Sequence, residues 1–153
     1  MTQVIVLDTV FDAPIAEVCA LSLSVNLHLD SMTHHHEKVV AGRTTGHFAE
    51  SDVVTWSARH FGLPLRLTIR IFDVDAPHRF ADEQVRGPFA VYHHEHLFTE
   101  IDGRTHMQDR LTFAAPFGPL GRLVEKLFLR RYMQTLLEER NAALIDVLQY
   151  KNR

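Results

Sequence analysis

One cysteine, Cys19, stands alone in the chain, so no disulfide can close within it. No stretch approaches the roughly 18 consecutive apolar residues of a membrane span, and no short apolar core marks a secretion signal. Cationic excess is missing too. The formal net charge of -3 offers no positive field to draw in nucleic acid or an anionic bilayer, so neither partner is expected, nor stable membrane insertion. Gly-x-Ser-x-Gly is absent, and the 7 glycines fall at turns or helix starts instead of in a strand-to-helix phosphate cradle. These absences argue against a hydroxyl nucleophile and a nucleotide cofactor. They leave a soluble cytoplasmic protein, monomer or homodimer, for which no cofactor and no metal is expected.

What is present is a core. With 46% hydrophobic and 23% charged residues over 153 positions, the chain has the make-up of one globular domain spanning 1–153. Eleven histidines make its charge sensitive to pH between about 5 and 7. His34-His35-His36 precedes an apolar run inside the chain and reads as a solvated loop.

Val4, Val6 and Val10 with Ile5 and Leu7 form an opening strand, ended by Asp12-Ala13-Pro14. Pro14 suits the first helical position after Asp12, and residues 16–21 then read as a short helix. A second short helix, capped by Ser24 or Asn26, runs toward Asp30, and the next strand occupies residues 37–42. A meander follows over residues 52–61, 65–74, 79–86, 91–101 and 104–114. Its breaks are Gly62-Leu63-Pro64, Asp75-Ala76-Pro77, Gly87-Pro88-Phe89 and Asp102-Gly103, the last being the strongest hairpin signal. After Pro116-Phe117-Gly118-Pro119 one long helix reaches the C-terminus. Leu129, Met133, Leu136, Leu137, Leu144, Val147 and Leu148 share one face, whereas Leu120, Leu123, Val124 and Leu127 lie nearly opposite. The stripe jumps near Phe128. A kink is expected there, or a first segment that packs on a cavity mouth or a partner subunit.

The two-residue turn at Asp102-Gly103 sets Phe98 opposite Met107, His96 opposite Asp109 and His94 opposite Leu111. Apolar Phe98, Met107, Leu111 and Phe113 mark this as the inner face, so His94, His96 and Asp109 point inward with them. A turn at Gly62-Leu63 pairs Trp56 with Ile69, Ala58 with Leu67 and Val54 with Ile71 on the same face. With Phe80 inward, Asp82 and Gln84 are inward as well, beside His94 and Tyr92. Arg140, within the apolar stripe of the long helix, can reach in to neutralise Asp109 or Asp82. A buried polar group without a partner costs on the order of 1–3 kcal/mol, so this cluster must satisfy itself, hold water or meet a ligand.

The element order, with the phrases from Asp52 to Gly62, Phe80-Ala-Asp-Glu-Gln-Val-Arg-Gly-Pro-Phe89, His94-Glu-His-Leu-Phe98, Gly103-Arg-Thr-His-Met-Gln-Asp109 and Gly118-Pro-Leu-Gly121, resembles the SRPBCC superfamily of START-like, Bet v 1-like proteins. The resemblance covers nearly the whole chain. It implies an α+β helix-grip fold: a curved antiparallel sheet of about seven strands, two short helices after the first strand, and a long C-terminal helix over a cavity. It also implies a hydrophobic guest, since related members include polyketide cyclases, aromatases, lipid carriers and hormone receptors. No catalytic motif is shared across that superfamily, so site residues come from strand geometry.

Those residues are Trp56, Ile69, Phe98, Met107 and Leu111 as apolar wall, and Asp82, Gln84, Tyr92, His94 and Arg140 as polar contacts to a lipid, polyketide or isoprenoid-like ligand. Three further readings stand beside a non-catalytic carrier. In a cyclase, dehydratase or hydrolase, His96 serves as general base oriented by Asp109. His94 and His96 with Asp109 can instead form a metal triad, or the Leu120 to Leu127 face can serve a protein contact.

Overall fold

The computed structural model describes residues 2–151; the side chain of His34 lies outside this description, and with it that part of the histidine-triplet reading. Among the described residues, seven strands form one antiparallel sheet in the order β1-β7-β6-β5-β4-β3-β2. They are β1 (Gln3–Phe11), β2 (Lys38–Ala41), β3 (Val53–His60), β4 (Leu63–Asp75), β5 (Arg79–Arg86), β6 (Val91–Ile101) and β7 (Arg104–Ala114). From β2 to β7 each strand lies beside the next in sequence, and β1 closes the far edge beside β7. The sheet is therefore a meander with one long-range pairing.

Turn chemistry fixes the register. Asp102 and Gly103 adopt φ of 52° and 77°, the left-handed pair that a two-residue hairpin of the right twist requires, and His96 lies opposite Asp109 as expected. The hairpin between β3 and β4 departs from expectation. Its turn is Phe61-Gly62, with φ of 55° and 73°, so Trp56 pairs with Leu67 and Ile69 with Val54. Gly62 supplies one of the two left-handed positions, and Phe61 adopts the other in place of Leu63. The slip is two residues, and an even slip preserves which face each side chain occupies. Leu63 and Pro64 thus join β4. The missing N–H of Pro64 breaks no ladder because β4 meets β5 only from Thr68 onward.

The helices α1 (Ile15–Ser22) and α2 (Val25–Ser31) follow β1. Pro14 sits one position earlier than expected, as an extended cap residue, and α1 has no side-chain cap; at α2, Ser24 Oγ accepts from Leu27 N at 3.2 Å. A 3-10 turn over Thr33–His35 leads into β2.

At the C-terminus, α3 (Gly118–Val124), a π-helical turn (Glu125–Leu129) and α4 (Arg130–Lys151) succeed one another without a break. The wider turn inserts extra residues into the helical register, which is why the apolar stripe changes sides near Phe128. Before and within it, Leu120, Leu123, Val124 and Leu127 are exposed; after it, Met133, Leu137, Leu144 and Leu148 are buried. The start of this assembly is tied to the end of β7. Buried Glu125 accepts from Ala115 N at 2.5 Å, and a Cβ at Gly121 would stand 1.9 Å from the Pro116 carbonyl oxygen, an approach only glycine permits.

Packing under the helices falls into two clusters. Phe11, Val18, Val25, Phe98, Met107, Leu144 and Leu148 bring together α1, α2 and the end of α4, whereas Ile5, Leu111, Phe113, Met133 and Leu137 lie beneath the start of α4. Among the described residues no helix is long and apolar enough to cross a membrane.

Candidate functional site

Between the inner face of β3–β6 and the first half of α4 the packing leaves a cavity of about 200 Å³. Trp56, Ala58, Leu67, Ile69, Ile71 and Phe80 supply an apolar wall from the sheet, and Leu129, Met133 and Leu136 supply one from the helix. Asp82, His94, His96, Tyr92 and Arg140 add polar groups to this lining.

Asp82, His94, His96 and Arg140 form one connected network through Asp109. His94 Nε2 lies 2.8 Å from Asp109 Oδ1, and His96 Nε2 lies 3.1 Å from Asp82 Oδ2. Arg140 donates to Asp109 Oδ1 at 2.5 Å, and Asn141 Nδ2 donates to Asp109 Oδ2 at 2.8 Å and to Thr9 Oγ1 at 3.0 Å. The Phe80 ring stacks on His96 at 4.1 Å, and the two imidazoles stand 3.9 Å apart. Exposure is slight, from 0% at Asp109 and 2% at His96 to 7% at Asp82, so water does little of the screening.

Burial sets the protonation states. It favours a neutral Asp109, yet the Arg140 guanidinium and the bonds from His94 and His96 outweigh it and hold this carboxyl well below the usual range. Asp82 is lowered against the same burial penalty by its bond to His96 and by the charges of His94, His96 and Arg140. Burial and the neighbouring His96 charge press His94 below its ordinary value, against the pull of Asp109. Burial, aided by the Asp82 charge, keeps the Tyr92 hydroxyl protonated, its pKa well above the usual phenol.

Residues 2–149 match the family described as polyketide cyclase / dehydrase and lipid transport. The chain belongs to that family. Its fold is shared by TTHA0849 from Thermus thermophilus, with TM-score 0.80 at 18% identity over 99% of this chain and 100% of that one. The Zhui aromatase/cyclase from Streptomyces sp. R1128 superposes with TM-score 0.80 at 14% identity over 100% of this chain and 97% of that one. Norcoclaurine synthase from Thalictrum flavum gives 0.71 at 12% over 97% and 87%. No curated protein matches the chain by sequence. At such identities the superpositions speak for the helix-grip fold alone.

Within this polyketide cyclase / dehydrase and lipid transport fold, Trp56, Ile69, Asp82, Tyr92, His94, His96 and Arg140 border the cavity, and Gln84, Phe98, Met107, Leu111 and Asp109 do not. Gln84 is spent on the turn between β5 and β6: its Nε2 donates to the Phe89 carbonyl at 2.8 Å and its Oε1 accepts from Phe89 N at 3.1 Å. Its expected neighbour Tyr92 lies past the end of the β5–β6 ladder, which stops at Glu83 and His93. Phe98 and Met107 are covered by α1, and Leu111 by the start of α4, because the sheet face is larger than the void. Asp109 sits behind the histidines as their anchor.

The His-Asp partnership also differs from expectation. Asp82 opposes His94 and His96 opposes Asp109 along the backbone, but the side-chain bonds cross over to the diagonal partners. His96 Nδ1 retains a 3.3 Å contact with Asp109 Oδ1, so Asp82 and not Asp109 alone orients this ring. Phe80 pins the imidazole plane, and Arg140 with Asn141 draws Asp109 toward the helix.

Two polar pairs in the lining escaped the sequence reading. His28 Nε2 meets Glu37 Oε1 at 2.5 Å, and its ring lies 4.3 Å from Trp56; His60 Nδ1 meets the Tyr132 hydroxyl at 2.5 Å. His60 was legible, since it continues the inward alternation of Trp56 and Ala58. Nothing periodic marks Glu37.

Metal-free protein will lose stability as it is acidified. A neutral His94 contributes fully above its ordinary 6.5, and that contribution drains as pH falls through this value toward the lower folded one. Asp109 contributes fully above its ordinary 3.8 and is lost below it in the same sense. Urea midpoints will therefore decline from pH 7 to 5, and His94→Gln will flatten that segment; equal slopes in both proteins would remove His94 from the account.

Proposed function

We propose that the chain binds a compact, mostly apolar molecule between sheet and helix, with an oxygen-bearing end turned toward Asp82, His94, His96 and Arg140. The observation that carries this reading is the pairing of an aromatic and aliphatic wall with a buried polar cluster in one lining. Such concavities with a few convergent polar groups are the usual form of a small-molecule site. A volume of about 200 Å³ lies below the roughly 300–1,000 Å³ common for such sites. It favours a ring system, a short isoprenoid or the end of a longer chain over an entire phospholipid. The family description, which joins cyclases to lipid transport, supports a guest of this kind.

A second reading is a cyclase- or dehydratase-type enzyme, favoured by the placement of His96 on the wall with its Nε2 held by Asp82. Because Asp82 holds Nε2 and Asp109 stands 3.3 Å from Nδ1, His96 exchanges a proton with a guest only where that guest displaces one of these contacts.

Native mass spectrometry of gently purified protein, followed by thermal shift against aromatic polyketides, isoprenoids and lipids, tests the first reading. A ligand at 100 times its Kd adds about 2.7 kcal/mol and raises Tm by several degrees. Absence of both adduct and shift across the panel overturns it. With a ligand in hand, His96→Asn that keeps binding but loses turnover identifies an enzyme, whereas unchanged ligand after incubation identifies a carrier.

A further inference from the structure

His94, His96 and Asp82 do more than hydrogen-bond. One donor atom from each lies within 4.8 Å of the other two, and Asp82 Oδ2 stands 3.1 Å from His96 Nε2 and 3.9 Å from His94 Nδ1. Metal bonds near 2.0–2.2 Å set neighbouring donors about 3–3.5 Å apart, so small side-chain movements close this triangle on one ion. The opposite ring nitrogens are already held: His94 Nε2 at 2.8 Å and His96 Nδ1 at 3.3 Å from the same Asp109 Oδ1. A carboxylate behind each imidazole is the arrangement that orients histidines toward a metal and fixes their tautomers. Asp109 is itself clamped by Arg140 and Asn141.

Charge points the same way. With both imidazoles neutral, the form in which they ligate a metal, two buried carboxylates face one guanidinium, which leaves one negative charge for the ion to balance. All three donor residues also border the cavity, so a bound ion has coordination positions open to a guest.

We propose that Asp82, His94 and His96 form a divalent transition-metal site whose open face receives the oxygen-bearing end of the ligand. Two imidazoles with one carboxylate suit iron(II), zinc(II) or cobalt(II) better than the all-oxygen preference of calcium or magnesium. The guest's coordination rests on the small-molecule reading above; the metal site itself does not.

Untagged protein, stripped with chelator, is titrated with Co(II) and Zn(II) under anaerobic conditions and followed by calorimetry, visible absorption and elemental analysis. One ion per chain is expected, with ligand-field bands for Co(II) and a raised Tm. Asp82→Asn and His96→Gln should weaken binding by more than about 100-fold, and Asp109→Asn by about 10–100-fold. His36→Gln, in the exposed histidine segment, should leave it unchanged. Near-UV circular dichroism establishes that each variant is folded; for any that is not, nitrogen ligation in the spectrum of the Co(II)-loaded native sequence takes its place. No stoichiometric uptake by the native sequence, uptake removed by His36→Gln, or uptake untouched in folded Asp82→Asn overturns the proposal. Ligand binding by metal-free protein that takes up no ion would overturn the metal site alone, whereas metal uptake with no ligand from the panel would leave the site standing and remove the guest.

Discussion

Asp109→Ala will lower the free energy of unfolding by about 3–5 kcal/mol, measured by urea denaturation at pH 7. The carboxylate is wholly buried and bonded to His94, Arg140 and Asn141, so its removal leaves a guanidinium and an imidazole without their acceptor. The loss is a penalty for stranding the partners rather than the worth of the network. A double substitution, Asp109→Leu with Arg140→Met, should therefore recover much of it, because two apolar residues need no partner. A loss under about 1 kcal/mol for Asp109→Ala would show that water or a shifted Asp82 takes over.

Ala58→Phe is expected to weaken ligand binding by at least about 100-fold, close to 2.7 kcal/mol. Ala58 is nearly buried on the cavity wall, between the inward positions Trp56 and His60, and an added ring must occupy the space a guest needs. Stability should change by only about 1–3 kcal/mol, since the ring enters a void instead of a packed core. Val85→Phe, on an exposed position of β5, serves as the control and should leave affinity unchanged. Equal affinities in Ala58→Phe and the parent would place the guest elsewhere.

The site was partly legible beforehand, and the misses share a cause. Strand parity is local: it follows from alternation within one strand and from turn chemistry at Asp102-Gly103, so the inward set of Asp82, His94, His96 and Asp109 is legible in the sequence. Even the slipped hairpin at Phe61-Gly62 left Trp56 and Ile69 on the correct face. Cavity membership is not local. Phe98, Met107 and Leu111 share that face but are covered by α1 and α4, and Gln84 is diverted to a neighbouring turn.

The order of residues determined by itself the antiparallel meander, the side each strand turns inward and the break in the terminal helix, because alternation, left-handed turn residues and helical phase act between near neighbours. Docking of α4 across the sheet decided the rest. It brought Arg140 and Asn141 onto Asp109, exchanged the histidine partners and left a void between β3–β6 and its own first half, since these outcomes depend on distances between segments far apart in the sequence.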